Sequence, residues 1–169
     1  MNDNKRLLTI GMATYDDFDG VFFSIQALRL YHKDIIDQVE IIIVDNNPGG
    51  PHCESVKNFT NQIKNHIPIR HILNDEWKST AVRDTIFTEA NTPYVMSIDS
   101  HVLLEGGSIK KLLDYYKKNP ETNDLLQGPM LYDCLNAVCT HMDPVWRDHM
   151  YGTWGTDDRG KEADQEPFE

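Results

Sequence analysis

The sequence predicts an α/β fold in which helices flank a mostly parallel β-sheet. Short runs rich in β-branched residues alternate along the chain with segments whose apolar residues recur at helical spacing. The run at 38–45, QVEIIIVD, is almost continuously apolar, as expected for a central strand that is covered on both faces. This alternation favours parallel strands that are joined by right-handed helical crossovers.

Strands and helices are predicted to follow one another in alternating order. The predicted strands lie at 7–13, 38–45, 67–73, 92–99 and 124–132. The predicted helices lie at 18–32, 52–65, 79–90 and 106–120. Ser79 or Thr80 is the expected N-cap of the third helix. Beyond residue 133 the periodicity fades, so we expect a long ordered loop there, with a short strand at 136–142 as an alternative for its first part.

Length and charge limit the class of protein. The chain has 169 residues, about the length of one domain. Its formal net charge of −11 argues against nucleic acid and anionic membranes as main partners. If the ligand is itself an anion, a bound metal ion or a positioned arginine is needed to overcome this unfavourable field.

The sequence also predicts where the protein resides. No apolar run approaches the ~20 residues that span a bilayer, and no apolar signal segment follows the first residues, so we expect no integral membrane segment. The three cysteines form no CxxC pair, which suits a reducing compartment and predicts a cytoplasmic location. Cys134 and Cys139 are expected to be free thiols, with a disulfide or a ligand pair as the alternative.

Acidic residues follow three of the predicted strands. The first strand leads into Asp16 and Asp17, the second ends in Asp45, and the fourth ends in Asp99 and His101 with one serine between them. Ligands of an open parallel sheet bind at the carboxyl ends of its strands. Converging carboxylates repel one another, so we expect them to share a cation or to accept hydrogen bonds from a ligand. Helix capping or a local turn remains the alternative for each residue taken alone.

The pair Asp99 and His101 is the candidate metal site. If the strand stays extended, alternate residues share a side, and the carboxylate and the imidazole then point together. Oxygen and nitrogen ligands together suit Mn²⁺ or a similar divalent ion. Two ligands cannot hold a metal alone, so water, a substrate phosphate or a later residue must complete the shell. His141 and His149 are candidates for that residue, with surface or capping roles as the alternative.

Other catalytic and nucleotide-binding motifs are absent from the sequence. There is no GxGxxG after the first strand, no GxxxxGK[ST], no HExxH and no GxSxG. These absences argue against a dinucleotide-dependent enzyme, a P-loop enzyme, a zinc protease and a serine hydrolase of the usual kinds.

Four segments in order resemble the nucleotide-sugar-binding half of GT-A-fold glycosyltransferases, family 2 in particular. They read TIGMATYDD, IIIVDNN, STAVRD and YVMSIDSHVLLEGGSI. The resemblance covers roughly residues 7–132. It implies a Rossmann-like GT-A core at 1–132 and the start of an acceptor-side region at 133–169, which we expect to be incomplete.

The resemblance also implies roles for individual residues. In that family an Asp-x-Asp motif ends the fourth strand and coordinates a metal on the donor diphosphate. This chain has His101 at the third position, as in the polypeptide N-acetylgalactosaminyltransferases, where the histidine is a metal ligand. The implied metal ligands are therefore Asp99 and His101. The residues implied to bind the nucleotide sugar are Thr14, Tyr15, Asp16, Asp45, Arg83, Asp84 and Asp99.

Within this set, Asp45 would accept from the base and Arg83 would reach the diphosphate. Asp84 would lie near the base or ribose. The alternative for Arg83 is a surface residue that pairs with Glu89 or Asp84.

The implied reaction is transfer of a sugar from a nucleoside-diphosphate donor, most typically of the UDP type, to an unknown acceptor. Mn²⁺ or Mg²⁺ is the implied cofactor. An inverting enzyme of this class needs a carboxylate to deprotonate the acceptor, and Asp157 and Asp158 are the candidates here, with a solvated loop as the alternative. Trp146, Tyr151 and Trp154 are candidates for stacking on a sugar ring, or for a core lid.

Two other functions remain open at this point. A nucleotidyltransferase has a similar sheet, but it usually carries a glycine-rich basic loop after the first strand, where this chain is acidic. A non-catalytic module that binds a nucleotide sugar or a metal is the other alternative, because no convincing catalytic base is present.

Overall fold

A computed structural model describes residues 6–76, 79–132, 134, 138–147 and 149–161, with the backbone alone at 146–147 and 149–151. The chain divides into two compact units, Met1–Pro120 and Glu121–Glu169. The predicted functional boundary at 132/133 stays a prediction.

The first unit contains a four-stranded parallel sheet with the strand order β3-β2-β1-β4. Its strands are β1 (Leu8–Thr14), β2 (Val39–Asp45), β3 (Ile69–Leu73) and β4 (Tyr94–Asp99). Its helices are α1 (Phe18–Tyr31), α2 (Cys53–Ile63), α3 (Asp84–Glu89) and α4 (Ser108–Lys118). The α/β fold class is confirmed. Because β1 lies between β2 and β4, the winding of the chain reverses there, and this is where such sheets open a ligand crevice.

The apolar core forms on both faces of this sheet. One face is covered by α1, α2 and α4, and its buried strand residues include Ile10, Ile41 and Ile43. The opposite face carries Ile42 and Val44, which pack with residues of the α3 region. All seven residues of β2 are buried, which explains why its sequence is almost continuously apolar.

The third predicted helix is shorter and tighter than expected. A 3₁₀ helix at Ser79–Arg83 precedes α3, so the single helix predicted at 79–90 is wrong. Short 3₁₀ turns of this kind are common at helix beginnings. The first residue of the turn, Ser79, has a φ of 63°, in the left-handed region. Helix α3 packs closely against β1. A Cβ atom placed on Gly11 would lie only 2.0 Å from Cγ2 of Ile86, so the glycine makes this close approach possible.

The second unit differs from the sequence prediction. The predicted strand at 124–132 is reduced to β5 (Met130–Leu131), which pairs antiparallel with β6 (Val138–Cys139) instead of joining the parallel sheet. Gly128 and Pro129 interrupt the run, and proline cannot donate to a strand ladder.

A hairpin lies where a long loop was expected. It pairs β7 (His141–Arg147) with β8 (His149–Gly155), and a 3₁₀ turn follows at Asp158–Lys161. Pro144 lies within β7, and both strands of a two-stranded sheet are edge strands, where proline is tolerated. Within the described residues of both units, we find no helix with the length and apolarity that crossing a bilayer requires.

Candidate functional site

The acidic strand ends meet at the carboxyl edge of the sheet. The register places Thr14 beside Asp45 and Ala13 beside Asp99. The residues predicted to form the site from β1, β2 and β4 therefore lie on neighbouring strands, on both sides of the point where the winding reverses. Side-chain alternation separates them further, because Asp45 shares its face with Ile41 and Ile43, whereas Asp99 lies on the opposite face.

Each acidic strand end lies beside a basic side chain of its own. His71 Nε2 is 3.3 Å from Asp45 Oδ2, and His101 Nδ1 is 3.1 Å from Asp17 Oδ2. The Arg83 guanidinium contacts Asp99 Oδ1. Each of these carboxylates therefore has a hydrogen-bonding neighbour of its own, and the shared cation that the sequence suggested stays a prediction.

Asp45 is the most enclosed of these carboxylates. Its side chain is 3% exposed and that of His71 is 7% exposed. The Asn47 backbone amide donates to Asp45 Oδ1 at 2.9 Å. Burial raises the pKa of the Asp45 carboxyl, but hydrogen bonds from His71, the Asn47 amide and the Cys53 thiol outweigh burial and lower that pKa. Asp45 is therefore held as a carboxylate with a fixed orientation.

His71 and Cys53 were not predicted to be near the site. Their ligand atoms and that of Asp45 all lie within 4.8 Å of one another, the one such three-residue group found in the described residues. The β2–β3 register pairs His71 with Ile43, which places it on the same face as Asp45. To predict from the sequence that His71 lies beside Asp45, one would need to know the register between β2 and β3. Burial, together with the Asp45 charge, raises the pKa of the Cys53 thiol.

Asp16 lies in a tight turn after β1. Its φ of 52° is in the left-handed region, and Asn47 Nδ2 donates to its Oδ2 at 2.7 Å. Its Oδ1 is buried and has no hydrogen-bond partner among the described residues. A Cβ atom on Gly50 would lie 2.0 Å from this oxygen, so the glycine permits the close packing. Tyr15 beside it is 67% exposed.

Arg83 extends from the 3₁₀ helix to the end of β4. Its partner is Asp99, and the two side chains are 34% and 47% exposed. The alternative in which Arg83 pairs with Glu89 is not observed, because Glu89 contacts Arg70 instead. Asp84, the first residue of α3, is exposed.

The metal motif does not continue as an extended strand. β4 ends at Asp99, and Ser100 and His101 form a turn, so strand alternation does not place His101 on the same side as Asp99. Ser100 is buried and its Oγ donates to Asp17 Oδ2 at 2.7 Å, whereas the His101 side chain is 70% exposed. The assignment of Asp99 and His101 as metal ligands stays a prediction.

Asp17 joins this turn to the first helix. It is the N-cap of α1, and its Oδ1 accepts from the Gly20 amide at 2.9 Å. Burial raises the pKa of the Asp17 carboxyl, but hydrogen bonds from Ser100, Gly20 and His101 outweigh burial, and the pKa is lowered.

The two candidates for the general base in the second unit, Asp157 and Asp158, each form an ion pair with a basic side chain. Arg159 binds Asp157 at two points, with its closest nitrogen 2.7 Å from Oδ2, and these hydrogen bonds lower the pKa of Asp157 to about 2. Lys161 Nζ is 2.5 Å from Asp158 Oδ1.

The structure describes the side chains of some, but not all, of the histidines and aromatic residues that were predicted to complete the metal shell or to stack on a sugar. Both ring nitrogens of His141 have partners, Thr140 Oγ1 at 2.9 Å and Asp143 Oδ1 at 3.2 Å. Trp154 is 49% exposed. The side chains of Trp146, His149 and Tyr151 lie outside the described residues.

Comparison with known proteins extends these observations. The mannosyltransferase PcManGT from Pyrobaculum calidifontis, in complex with GDP-Man and Mn²⁺, aligns with a TM-score of 0.56 at 14% identity, over 75% of this chain and 35% of its own. The S. aureus protein TarS 1-349 in complex with UDP-GlcNAc aligns with a TM-score of 0.54 at 12% identity, over 66% of this chain and 31% of its own. The chain thus spans about a third of the length of these structures, and it shares with them the GT-A fold.

A comparison with curated proteins found no match. The family model described as Glycosyl transferase family 2 matches residues 9–146, which is most of the chain. This match covers the parallel sheet from the second residue of β1 onward, together with the carboxyl ends of all four of its strands. The chain belongs to glycosyl transferase family 2.

Proposed function

We propose that this chain forms the donor-binding part of a glycosyltransferase that uses a nucleoside-diphosphate sugar and a divalent metal ion. The observation that carries the proposal is the carboxyl edge of the sheet, where Asp45 and Asp99 end the strands on either side of β1 in a family 2 fold and Arg83 contacts Asp99. Two structures with this fold were solved with GDP-Man and Mn²⁺ and with UDP-GlcNAc, which supports a nucleotide sugar as the ligand class.

The nucleoside is proposed to bind between the turn after β1 and the end of β2. Thr14, Tyr15, Asp16 and Asp45 border this region. Asp45 is an ionised acceptor, and Asp16 adds the buried Oδ1 that has no hydrogen-bond partner within the described part of the chain. A UDP-type donor fits such acceptors, because uracil presents an N–H group that a carboxylate can accept from.

The diphosphate is proposed to bind near Arg83, with the exposed Asp84 close to the ribose. A guanidinium binds phosphate oxygens in a bidentate manner, and the net charge of −11 makes a local cation necessary. Arg83 is one-third exposed and held at the sheet edge by Asp99, so its guanidinium is available at the surface of the crevice.

Asp99 and His101 are proposed to hold the divalent ion. Both are more than two-fifths exposed, and together they offer a carboxylate oxygen and an imidazole nitrogen, a donor set that Mn²⁺ accepts. Mg²⁺ is the alternative. When bound, the ion would supply Lewis-acid stabilisation of the diphosphate leaving group.

The two candidates for the general base differ in how tightly a basic side chain holds them. A carboxylate with a pKa of about 2 that is bound by Arg159 is a poor base, which disfavours Asp157. Asp158 is 91% exposed and contacts a single lysine, so it is the better candidate of the two.

We also propose a cytoplasmic location, because the three cysteines are free thiols, as expected in a reducing compartment.

A panel of nucleotide sugars tests the proposed function. UDP-GlcNAc, UDP-glucose and GDP-mannose are titrated into the protein by calorimetry with Mn²⁺ and with EDTA, and hydrolysis of each donor is followed separately. Metal-dependent binding with turnover is the expected result. Binding without turnover would instead support a non-catalytic module, and no binding of any donor would contradict both functions.

A further inference from the structure

We infer that Asp17 is a positioning residue that orients the His101 imidazole so that its Nε2 is the nitrogen presented to a metal ion. The inference rests on the proposed function, because it concerns the ion held by Asp99 and His101. Asp17 is absent from the residues that the family resemblance implies for donor or metal binding.

Asp17 makes more contacts than a helix cap requires. A capping side chain needs one oxygen to accept from the first turn, and Oδ1 of Asp17 does this with the Gly20 amide. Its second oxygen, Oδ2, accepts from Ser100 Oγ at 2.7 Å and lies 3.1 Å from His101 Nδ1. One carboxylate therefore links the start of α1 to both residues that follow Asp99.

The contact with His101 selects one form of the imidazole ring. An ionised carboxylate can only accept, so the Nδ1 facing it carries the hydrogen. In a neutral imidazole the other nitrogen, Nε2, then has the free lone pair that a metal needs. Histidine ligands of metals usually donate their second N–H to a carboxylate or carbonyl in this way.

The turn that carries His101 is fixed from the same helix at further points. Ser24 Oγ donates to the carbonyl of Ser100 at 2.7 Å and lies 3.1 Å from that of Val102. His32, at the end of α1, contacts the carbonyl of Leu104 at 3.3 Å. Helix α1 thus supports the backbone of this segment along its length, while Asp17 alone among these residues contacts the exposed imidazole.

This arrangement follows from the departure from the family motif. An aspartate at the third position offers two equivalent oxygens and needs no choice between atoms. A histidine has two distinct nitrogens, and only one of them can face the ion. A carboxylate on Nδ1 makes that choice, which explains why a residue outside the motif becomes necessary.

The test uses three variants and Mn²⁺ itself as the probe. Asp17→Asn keeps a good N-cap, but its amide can donate to Nδ1 and so favours the hydrogen on Nε2. Asp19→Asn is the matched control, because Asp19 is an exposed acid in the first turn of the same helix and its change removes the same charge. His101→Ala removes the imidazole. Free Mn²⁺ is measured by electron paramagnetic resonance, and the His101 tautomer by long-range ¹H–¹⁵N NMR.

We expect His101 of the wild type to carry its hydrogen on Nδ1, and Asp17→Asn to shift it to Nε2. Changes of this kind around a metal ligand lower metal affinity about 10- to 100-fold, so Asp17→Asn should bind Mn²⁺ that much more weakly, whereas Asp19→Asn should not. A wild-type His101 with its hydrogen on Nε2 would overturn the inference, whatever the metal affinity.

The metal measurements separate the inference from the proposed function. If His101→Ala weakens Mn²⁺ binding and Asp17→Asn does not, the inference is wrong and the metal site stands. If neither variant weakens it, the metal assignment in the proposed function is wrong as well. Thermal unfolding of each variant verifies that the fold is retained, and Asp17→Ser provides a second capped variant should Asp17→Asn be unstable.

Discussion

The strands of the parallel sheet carry similar ionic residues at their amino ends and at their carboxyl ends, here called the amino edge and the carboxyl edge. The two sets serve different purposes. At the amino edge, Glu40 accepts from Thr9 Oγ1 and from the Asn91 amide, both at 2.9 Å, and Arg70 lies 3.6 Å from its carboxylate. The Glu40 side chain is only 10% exposed. At the carboxyl edge, Asp99 and His101 are far more exposed, although Arg83 contacts Asp99 and Asp17 contacts His101.

The difference shows which ionic groups stabilise the protein and which are available to a ligand. A buried carboxylate with several donors joins neighbouring strands, and removing it leaves those donors unsatisfied. A half-exposed ion pair contributes little to stability, because water and salt screen it. Such a pair can therefore exchange its partner for a phosphate or a metal ion without loss of the fold.

The largest effect is expected at the amino edge. Glu40→Ala removes the acceptor of a buried hydroxyl and a backbone amide, and should lower the free energy of unfolding by about 3 kcal/mol. Urea unfolding measures this value. The control is Glu89→Ala, which removes the exposed partner of Arg70 and should change stability by less than about 1 kcal/mol. Equal losses in the two variants would contradict the role of Glu40.

A second prediction concerns the packing beneath the nucleoside region. In Gly50→Ala the new Cβ atom would lie 2.0 Å from Asp16 Oδ1 and 2.5 Å from Asn47 Nδ2, so both side chains must move. We expect a loss of about 1–2 kcal/mol, as for other overpacked sites, and weaker binding of UDP. Gly49→Ala is the matched control, since its Cβ atom has no neighbour within 4 Å. The packing argument fails if the two alanine variants behave alike in unfolding and in calorimetry.

The acid side of the stability curve tests one buried carboxylate at each edge, Glu40 and Asp45. Environment lowers the pKa values of Glu40 and Asp45 in the folded protein, from ordinary values of 4.5 and 3.8. The unfolded chain then binds more protons, so this stabilisation is complete above the ordinary values and is lost as the pH falls through the folded ones. In Glu40→Gln the free energy of unfolding should fall less steeply as the pH drops below the ordinary glutamate pKa of 4.5. Denaturant titrations at a series of acidic pH values test this, and an unchanged slope would show that Glu40 does not contribute.

The smallest effect on stability is expected at the carboxyl edge. Asp99→Asn removes the charge that faces Arg83, but both groups are about one-third or more exposed, so stability should change by less than about 1 kcal/mol. Urea unfolding under the conditions used for Glu40→Ala measures it. A loss as large as that of Glu40→Ala would show that the ion pair is structural and would remove the contrast between the edges.

The parallel sheet could be predicted from the sequence because each of its strands is short, apolar and bounded by polar turns. The strand ends follow from this pattern, and so does their position at one edge of the sheet. The hairpin from β7 to β8 could not be predicted, since the periodicity fades there and Pro144 resembles a strand breaker. Among the described residues β7 pairs with β8 alone, and proline is tolerated in such an edge strand.

The pairing of the site residues also required the structure. The sequence shows three acidic strand ends but not that Asp45, Asp99 and Asp17 each have a separate basic partner. His71 reaches Asp45 through the β2–β3 register, which no local pattern reveals. The turn at Ser100 and His101 depends on contacts from α1, more than seventy residues earlier in the chain.

The most direct test of the account measures the metal dependence of nucleotide binding at Asp99 and His101. UDP is titrated by calorimetry into the wild type, Asp99→Ala, His101→Ala and the control Asp19→Asn, each with Mn²⁺ and with EDTA. We predict that the wild type and Asp19→Asn bind UDP more tightly with Mn²⁺, and that both alanine variants lose this difference while remaining folded. An undiminished Mn²⁺ effect in both alanine variants would contradict the assignment of the site.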